Sequence, residues 1–101
     1  MKNDVEIKER YQHMLAQNLP VLRARLGITQ TELAEMIGVT RQTINAIESG
    51  SRLMTWCTFM ALIFLFSNRR ETASLLSVLG IDTPELKRLL RITDISRLSH
   101  D

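Results

Sequence analysis

Three features of the sequence predict an all-α fold. Gly and Pro are scarce, four and two among 101 residues, which disfavours a turn-rich β architecture. Apolar residues recur at helical spacing, as at Leu19, Leu22 and Leu26, where a strand would alternate. Threonines stand ahead of such stripes at Thr29, Thr40, Thr55 and Thr83, and glycines close others at Gly27, Gly38, Gly50 and Gly80. That order is expected of helix N-caps and of left-handed C-terminal stops.

The elements follow in order. Asp4 to Gln17 reads as a weakly amphipathic helix carrying Val5, Tyr11, Met14 and Leu15. Asn18 is then expected to cap a new helix with Pro20 in its first turn, running to Gly27. Thr29 caps the next, its side-chain oxygen accepting from the backbone N–H of Thr31 or Glu32, with Leu33, Met36 and Ile37 inward and Gly38 as its end. Thr40 caps a helix over Arg41–Ser49, with Ile44 and Ile47 inward and Gly50 after it. Thr55 opens another that runs to about Phe66. Arg69 to Leu79 follows, with Leu75, Leu76, Val78 and Leu79 inward. Thr83-Pro84-Glu85 is a strong helix start, and Leu86, Leu89, Leu90, Ile92, Ile95 and Leu98 continue as an amphipathic tail.

Composition narrows the function classes. With 45% apolar and 24% charged residues, the chain is globular, and its length suits one domain with short extensions. The lone Cys57 permits no intrachain disulfide, so a reducing compartment is expected. The mixed charges of Met1 to Glu6 do not resemble a signal peptide. Leu53 to Phe66, whose only polar residues are Thr55 and Thr58, is shorter than the roughly 18 residues of a membrane span. It reads as a buried helix. His13 and His100 lie near opposite ends, and no phosphate loop, nucleophile elbow or ligand spacing is present. Hence no enzyme activity, metal, cofactor, small-molecule substrate or membrane partner is expected. The net charge of +2 is too weak to identify a nucleic-acid partner by itself.

The informative stretch is Gln30 to Gly50. Two short helices are joined by about three residues centred on Gly38, a turn tight enough to demand a residue tolerant of positive φ. Ala34 sits where the second helix would cross the first. Leu33, Ile37, Val39, Ile44 and Ile47 can then close over one another. At 100° per residue, Ile44, Ile47 and Glu48 share one side of the second of these helices, and Gln42, Asn45, Ala46 and Ser49 cluster opposite.

Thr29-Gln30-Thr31-Glu32-Leu33-Ala34, Gly38-Val39-Thr40, Ile44 and Ile47-Glu48-Ser49-Gly50 resemble the phage-repressor-type (Cro-like, XRE-like) helix-turn-helix regulators. The resemblance spans residues 18–80. It implies a five-helix repressor-like DNA-binding domain, here with an N-terminal helical extension (1–17) and an additional C-terminal helix (81–101). It further implies a bacterial or phage transcriptional regulator, cytoplasmic and nucleoid-associated, that binds double-stranded DNA as a homodimer with helix 41–49 in the major groove. The resemblance also implies a structural ion pair between Arg23 and Glu48.

Base readout is expected of Arg41 and Gln42 first, then Asn45 and Thr43, with Ala46 able to touch a thymine methyl. Arg suits guanine O6 and N7, and Gln suits adenine N6 and N7. Gln30 and Thr40 lie at helix N-termini, where backbone N–H groups favour a phosphate. Arg52 and Asn18 are weaker phosphate candidates.

One helix departs from the family. Residues 55–66 have no charged face, so this helix needs covering all round, by the C-terminal helix, by a second subunit, or by both. Met60, Ile63, Phe64 and Phe66 are the expected dimer or partner surface. A two-fold dimer on a palindromic operator would double the DNA contacts of a weakly charged chain. The alternative is an antitoxin-like interaction module whose apolar helix binds a protein, with DNA binding secondary. Lys87, Arg88 and Arg91 give the C-terminal segment a basic side.

Overall fold

The computed structural model describes residues 3–90. Those residues form six helices: α1 (Asp4–Leu26), α2 (Gln30–Ile37), α3 (Arg41–Ser49), α4 (Trp56–Ser67), α5 (Arg70–Val78) and α6 (Pro84–Leu90). No strand occurs among them, as the all-α reading requires. No helix among them is long and apolar enough to cross a membrane.

The break expected after Gln17 is absent. A single 23-residue helix begins at Asn3, whose side chain caps Glu6, and runs unbroken through Pro20 to Gly27. Tyr11, Leu15, Leu19 and Leu22 are buried along it and fall on one continuous helical stripe. A break before Pro20 would turn Leu19 and Leu22 away from the face that holds Tyr11 and Leu15. Interior proline costs about 3 kcal/mol, whereas each buried Leu contributes about 1.5–3 kcal/mol, so the stripe prevails. Asn18 therefore caps nothing: its side-chain N–H donates to the Met14 carbonyl within the same helix at 2.8 Å. The expected extension and the domain's first helix are one element, which accounts for the helix count.

Long α1 is the spine on which α3, α4, α5 and α6 pack, while α2 leans on α3 and α4. The core lies along it. Leu15, Leu19 and Leu22 meet Leu33 of α2, Ile44 and Ile47 of α3, Phe59, Leu62 and Phe66 of α4, and Leu76 of α5. Gln12 is buried among them and donates to the Met54 carbonyl at 2.8 Å, tying the α3–α4 loop to α1.

Helix α4 begins as expected, Thr55 accepting from the backbone N–H of Thr58 at 3.1 Å. Its all-apolar surface is covered unevenly. Phe59, Leu62 and Phe66, spaced three and four apart, are buried. Phe66 is thus a core residue, contrary to its assignment to the partner surface, because its position on the helix shares the face of Phe59 and Leu62. Met60 and Ile63 are half-buried against the core, whereas Phe64 is 72% exposed. The cover comes from α1, α2 and α5, and α6 packs on α1. In α5, Val78 is 80% exposed, although it was expected inward. The buried face there is set by Thr72 and Leu76, and Val78 lies about 200° round from Leu76.

Helix α6 is held by a polar cluster that the sequence did not reveal. The Tyr11 hydroxyl donates to Glu85 Oε1 at 2.8 Å and shares a hydrogen bond with Thr83 Oγ1 at 2.5 Å, while Arg10 pairs with the same carboxylate. Thr83 caps α6 through Leu86 N–H at 3.1 Å. The hydrogen bond from Tyr11, aided by the charges of Arg10 and Arg88, lowers the Glu85 pKa against a smaller opposing effect of burial. Arg91, Ile92, Ile95, Leu98 and His100 lie outside the described residues.

Candidate nucleic-acid interface

The unit from Thr29 to Gly50 is built from local rules. Thr29 accepts from Glu32 N–H at 3.0 Å, and Glu32 Oε1 accepts from Thr29 N–H at 2.9 Å, a reciprocal capping box. At the other end Gly38 adopts φ +78°, and its N–H and that of Val39 donate to the Ala34 carbonyl at 2.9 and 3.0 Å. This left-handed step turns the chain within three residues. Thr40 then caps α3 through Thr43 N–H at 3.1 Å. Ala34, Leu33, Ile44 and Ile47 are buried between the two helices, so the crossing is closed by apolar contact around a small residue.

The outer face of α3 carries the expected groups. Arg41, Gln42, Asn45 and Ser49 are exposed, and Thr43 and Ala46 are half-buried on its flanks. Thr43 Oγ1 is bonded to Thr40 Oγ1 at 3.0 Å and approached by Arg52 Nη1 at 3.5 Å. The Arg52 guanidinium is thereby brought back from the following loop to the first turn of α3. Thr40, Arg41, Gln42 and Arg52 thus lie together at the N-terminal end of α3. Asn18, in contrast, lies in the interior of α1 with its amide turned to its own backbone. It offers no helix N-terminus and drops out of the phosphate candidates.

The inner face of α3 is set by charge. Arg23 of α1 donates to Glu48 through Nε at 2.7 Å and Nη2 at 3.0 Å, and its Nη1 donates to the Ile28 carbonyl at 3.1 Å. Gln30 Nε2 donates to Glu48 Oε1 at 2.9 Å and, over a longer 3.4 Å, to Asn45 Oδ1. Burial pushes the Glu48 carboxyl up, but the hydrogen bonds from Arg23 and Gln30 and the Arg23 charge bring it below the usual carboxylate range. The same pairing raises the Arg23 guanidinium further. Sequence reasoning missed that Gln30 joins this group. No spacing signals it, because the link depends on how α2 is set against α3.

A capped helix, a left-handed glycine turn and a second capped helix with a polar outer face define a helix-turn-helix unit, the architecture of a DNA-binding protein. Comparison with known proteins agrees. The helix-turn-helix family profile matches residues 22–54. An uncharacterized HTH-type transcriptional regulator, YgzD, from Bacillus subtilis (strain 168) is 42% identical over 50 residues, which are 50% of this chain and 76% of that protein. An uncharacterized HTH-type transcriptional regulator from Methanothermobacter thermautotrophicus is 68% identical over 28 residues, 28% of this chain and 41% of that protein. No solved structure matches. The chain belongs to the XRE-like helix-turn-helix transcriptional regulators, which bind DNA and are not enzymes.

Proposed function

We propose that this regulator is a sequence-specific repressor that acts as a homodimer, each copy inserting α3 into the major groove of one half of a palindromic operator. The observation that carries the reading is the outer face of α3: Arg41, Gln42 and Asn45 stand free of the core, in the first two turns of a capped helix. Arg41 and Gln42 read base edges, Asn45 and Thr43 contribute, and Ala46 abuts a thymine methyl. Thr40, the N-terminus of α2 at Gln30, and Arg52 set the register on phosphates. The unit of residues 18–80 binds DNA, and the segment from 81 onward serves dimerisation or a partner. The protein works in the cytoplasm on the nucleoid.

A second reading is favoured by the apolar groove between α2 and α4. It is lined by Met36, Ile37, Ala61, Phe64 and Leu65, with Asn68 and Arg69 at its rim. Met36 and Phe64 are both exposed there. In this reading the face of α4 receives another protein, as in an antitoxin, and DNA binding is autoregulatory.

Selection of binding sites from a random duplex pool, with wild type and Gln42→Ala in parallel, tests the first reading. The expected result is a palindrome with half-sites about 34 Å apart, altered at one position per half-site by the variant. A folded protein that enriches no site would defeat base-specific readout.

A further inference from the structure

We infer that the apolar groove between α2 and α4 receives an amphipathic helix of another protein, one with an acidic side chain beside its apolar stripe, and that Arg69 selects for that acid. The inference rests on the second reading above, in which this face takes a protein, and it adds the partner's chemistry. The groove encloses about 460 Å³. Its α4 wall is made by Ala61, Phe64, Leu65 and Asn68, which recur three and four apart and so form a ridge along one side of the helix. Met36 and Ile37, at the end of α2, make the opposite wall. Single exposed apolar side chains need no explanation, but Phe64 and Met36, 72% and 46% exposed, face one another across the same groove. A channel bounded by two helices suits the apolar stripe of a third, whose anchors recur at three- and four-residue steps. The small Ala61 lets that helix approach closely, and the unbranched Met36 can adapt to it.

Charge decides between occupants. Arg69 is the one charged residue of the lining. It is exposed, and among the described residues no carboxylate pairs with it. It also stands immediately before α5, which begins without a side-chain cap, so unbonded N–H groups at that helix start add to the positive potential at the rim. A second copy of this chain would return the same lining across a two-fold axis and bring no acid to either Arg69. A partner helix with a carboxylate beside its stripe answers both features at once. The apolar contact supplies most of the affinity, and the rim pair supplies discrimination between partners.

A displayed library of helical peptides, randomised along one face and selected against the full chain, tests this. The expected consensus has large apolar residues at helical spacing and Asp or Glu at one flanking position. Arg69→Glu should weaken the acidic peptide by about tenfold and turn the selected flanking residue to Lys or Arg. Phe64→Glu should abolish enrichment while melting like wild type. Peptides enriched without a flanking acid, or an acid preference unmoved by Arg69→Glu, would overturn the inference and leave a protein-binding face in place. No enriched peptide, or the same peptides enriched by Phe64→Glu, would overturn it together with the second reading. Sedimentation of wild type as a dimer and of Phe64→Glu as a monomer would also overturn it, by giving the groove to a second copy.

Discussion

Arg23 grips Glu48 through two parallel hydrogen bonds, at 2.7 and 3.0 Å, and so joins the long first helix to the inner side of α3. The pair is largely withdrawn from water, with side-chain exposures of 19% and 8%. The angle at which α3 leaves the body of the protein is thus set partly by a charge pair, while Ile44 and Ile47 supply the apolar contact.

Removing one member should therefore strand the other. Glu48→Gln is expected to destabilise by about 3 kcal/mol at pH 7, the lower end of the range for breaking a buried pair. In a domain of this size that lowers Tm by roughly 12–24 °C. The difference should be pH-dependent. The carboxyl sits below its ordinary value of 4.5 in the folded protein, so its ionised form is the stabilising one. Its contribution is complete above the unfolded value and drains away as the pH falls through the lower, folded one. The gap between the melting curves of wild type and variant should be full at neutral pH and narrow as the pH falls below the ordinary carboxylate value. A gap that persists unchanged at pH 3 would assign the loss to packing instead.

The proline in α1 makes the opposite prediction. Pro20 is exposed and interior to a helix that the core holds together. Pro20→Ala restores a backbone donor and removes the ring's clash with the preceding turn. We expect a gain of about 1–3 kcal/mol, read as a higher denaturant midpoint. A loss would mean that the backbone geometry Pro20 imposes on α1 is needed to bring Tyr11 and Leu22 onto the same core.

This position also marks where the sequence was legible and where it was not. Four helix starts, at Thr29, Thr40, Thr55 and Thr83, were readable because a cap is a local chemical event. The Gly38 turn was readable for the same reason. Pro20 misled because its local signal is overruled by burial at Leu15, Leu19 and Leu22, which only the assembled core decides. The long-range polar links, Gln12 to Met54, Tyr11 to Glu85 and Gln30 to Glu48, have no period or spacing to betray them. They depend on how helices far apart in the chain are brought together.

Tyr11 tests one of those links. Its ring is buried and its hydroxyl meets Thr83 and Glu85. Tyr11→Phe keeps the packing and deletes the hydroxyl, so the loss should be modest, about 1–2 kcal/mol. It should also be local. Amide hydrogen exchange is expected to quicken in Leu86–Leu90 while α3 and α4 keep their protection. Uniform acceleration across all helices would show that α6 unfolds only with the whole domain.

Two phenylalanines two residues apart separate the roles of α4. Phe66 is wholly buried, so Phe66→Ala should cost about 3–5 kcal/mol. Phe64 projects beside Met36 at the groove between α2 and α4, and Phe64→Glu should change monomer stability by no more than about 0.5 kcal/mol. If the homodimer forms on this face, the same Phe64→Glu change places a carboxylate in an apolar contact on both copies at once. Sedimentation should then show wild type as a dimer at concentrations where the variant is monomeric. Cooperative binding to a palindromic site should weaken in step, with binding to a single half-site retained. A variant that remains dimeric would move the two-fold contact off α4 and leave the groove to a different protein.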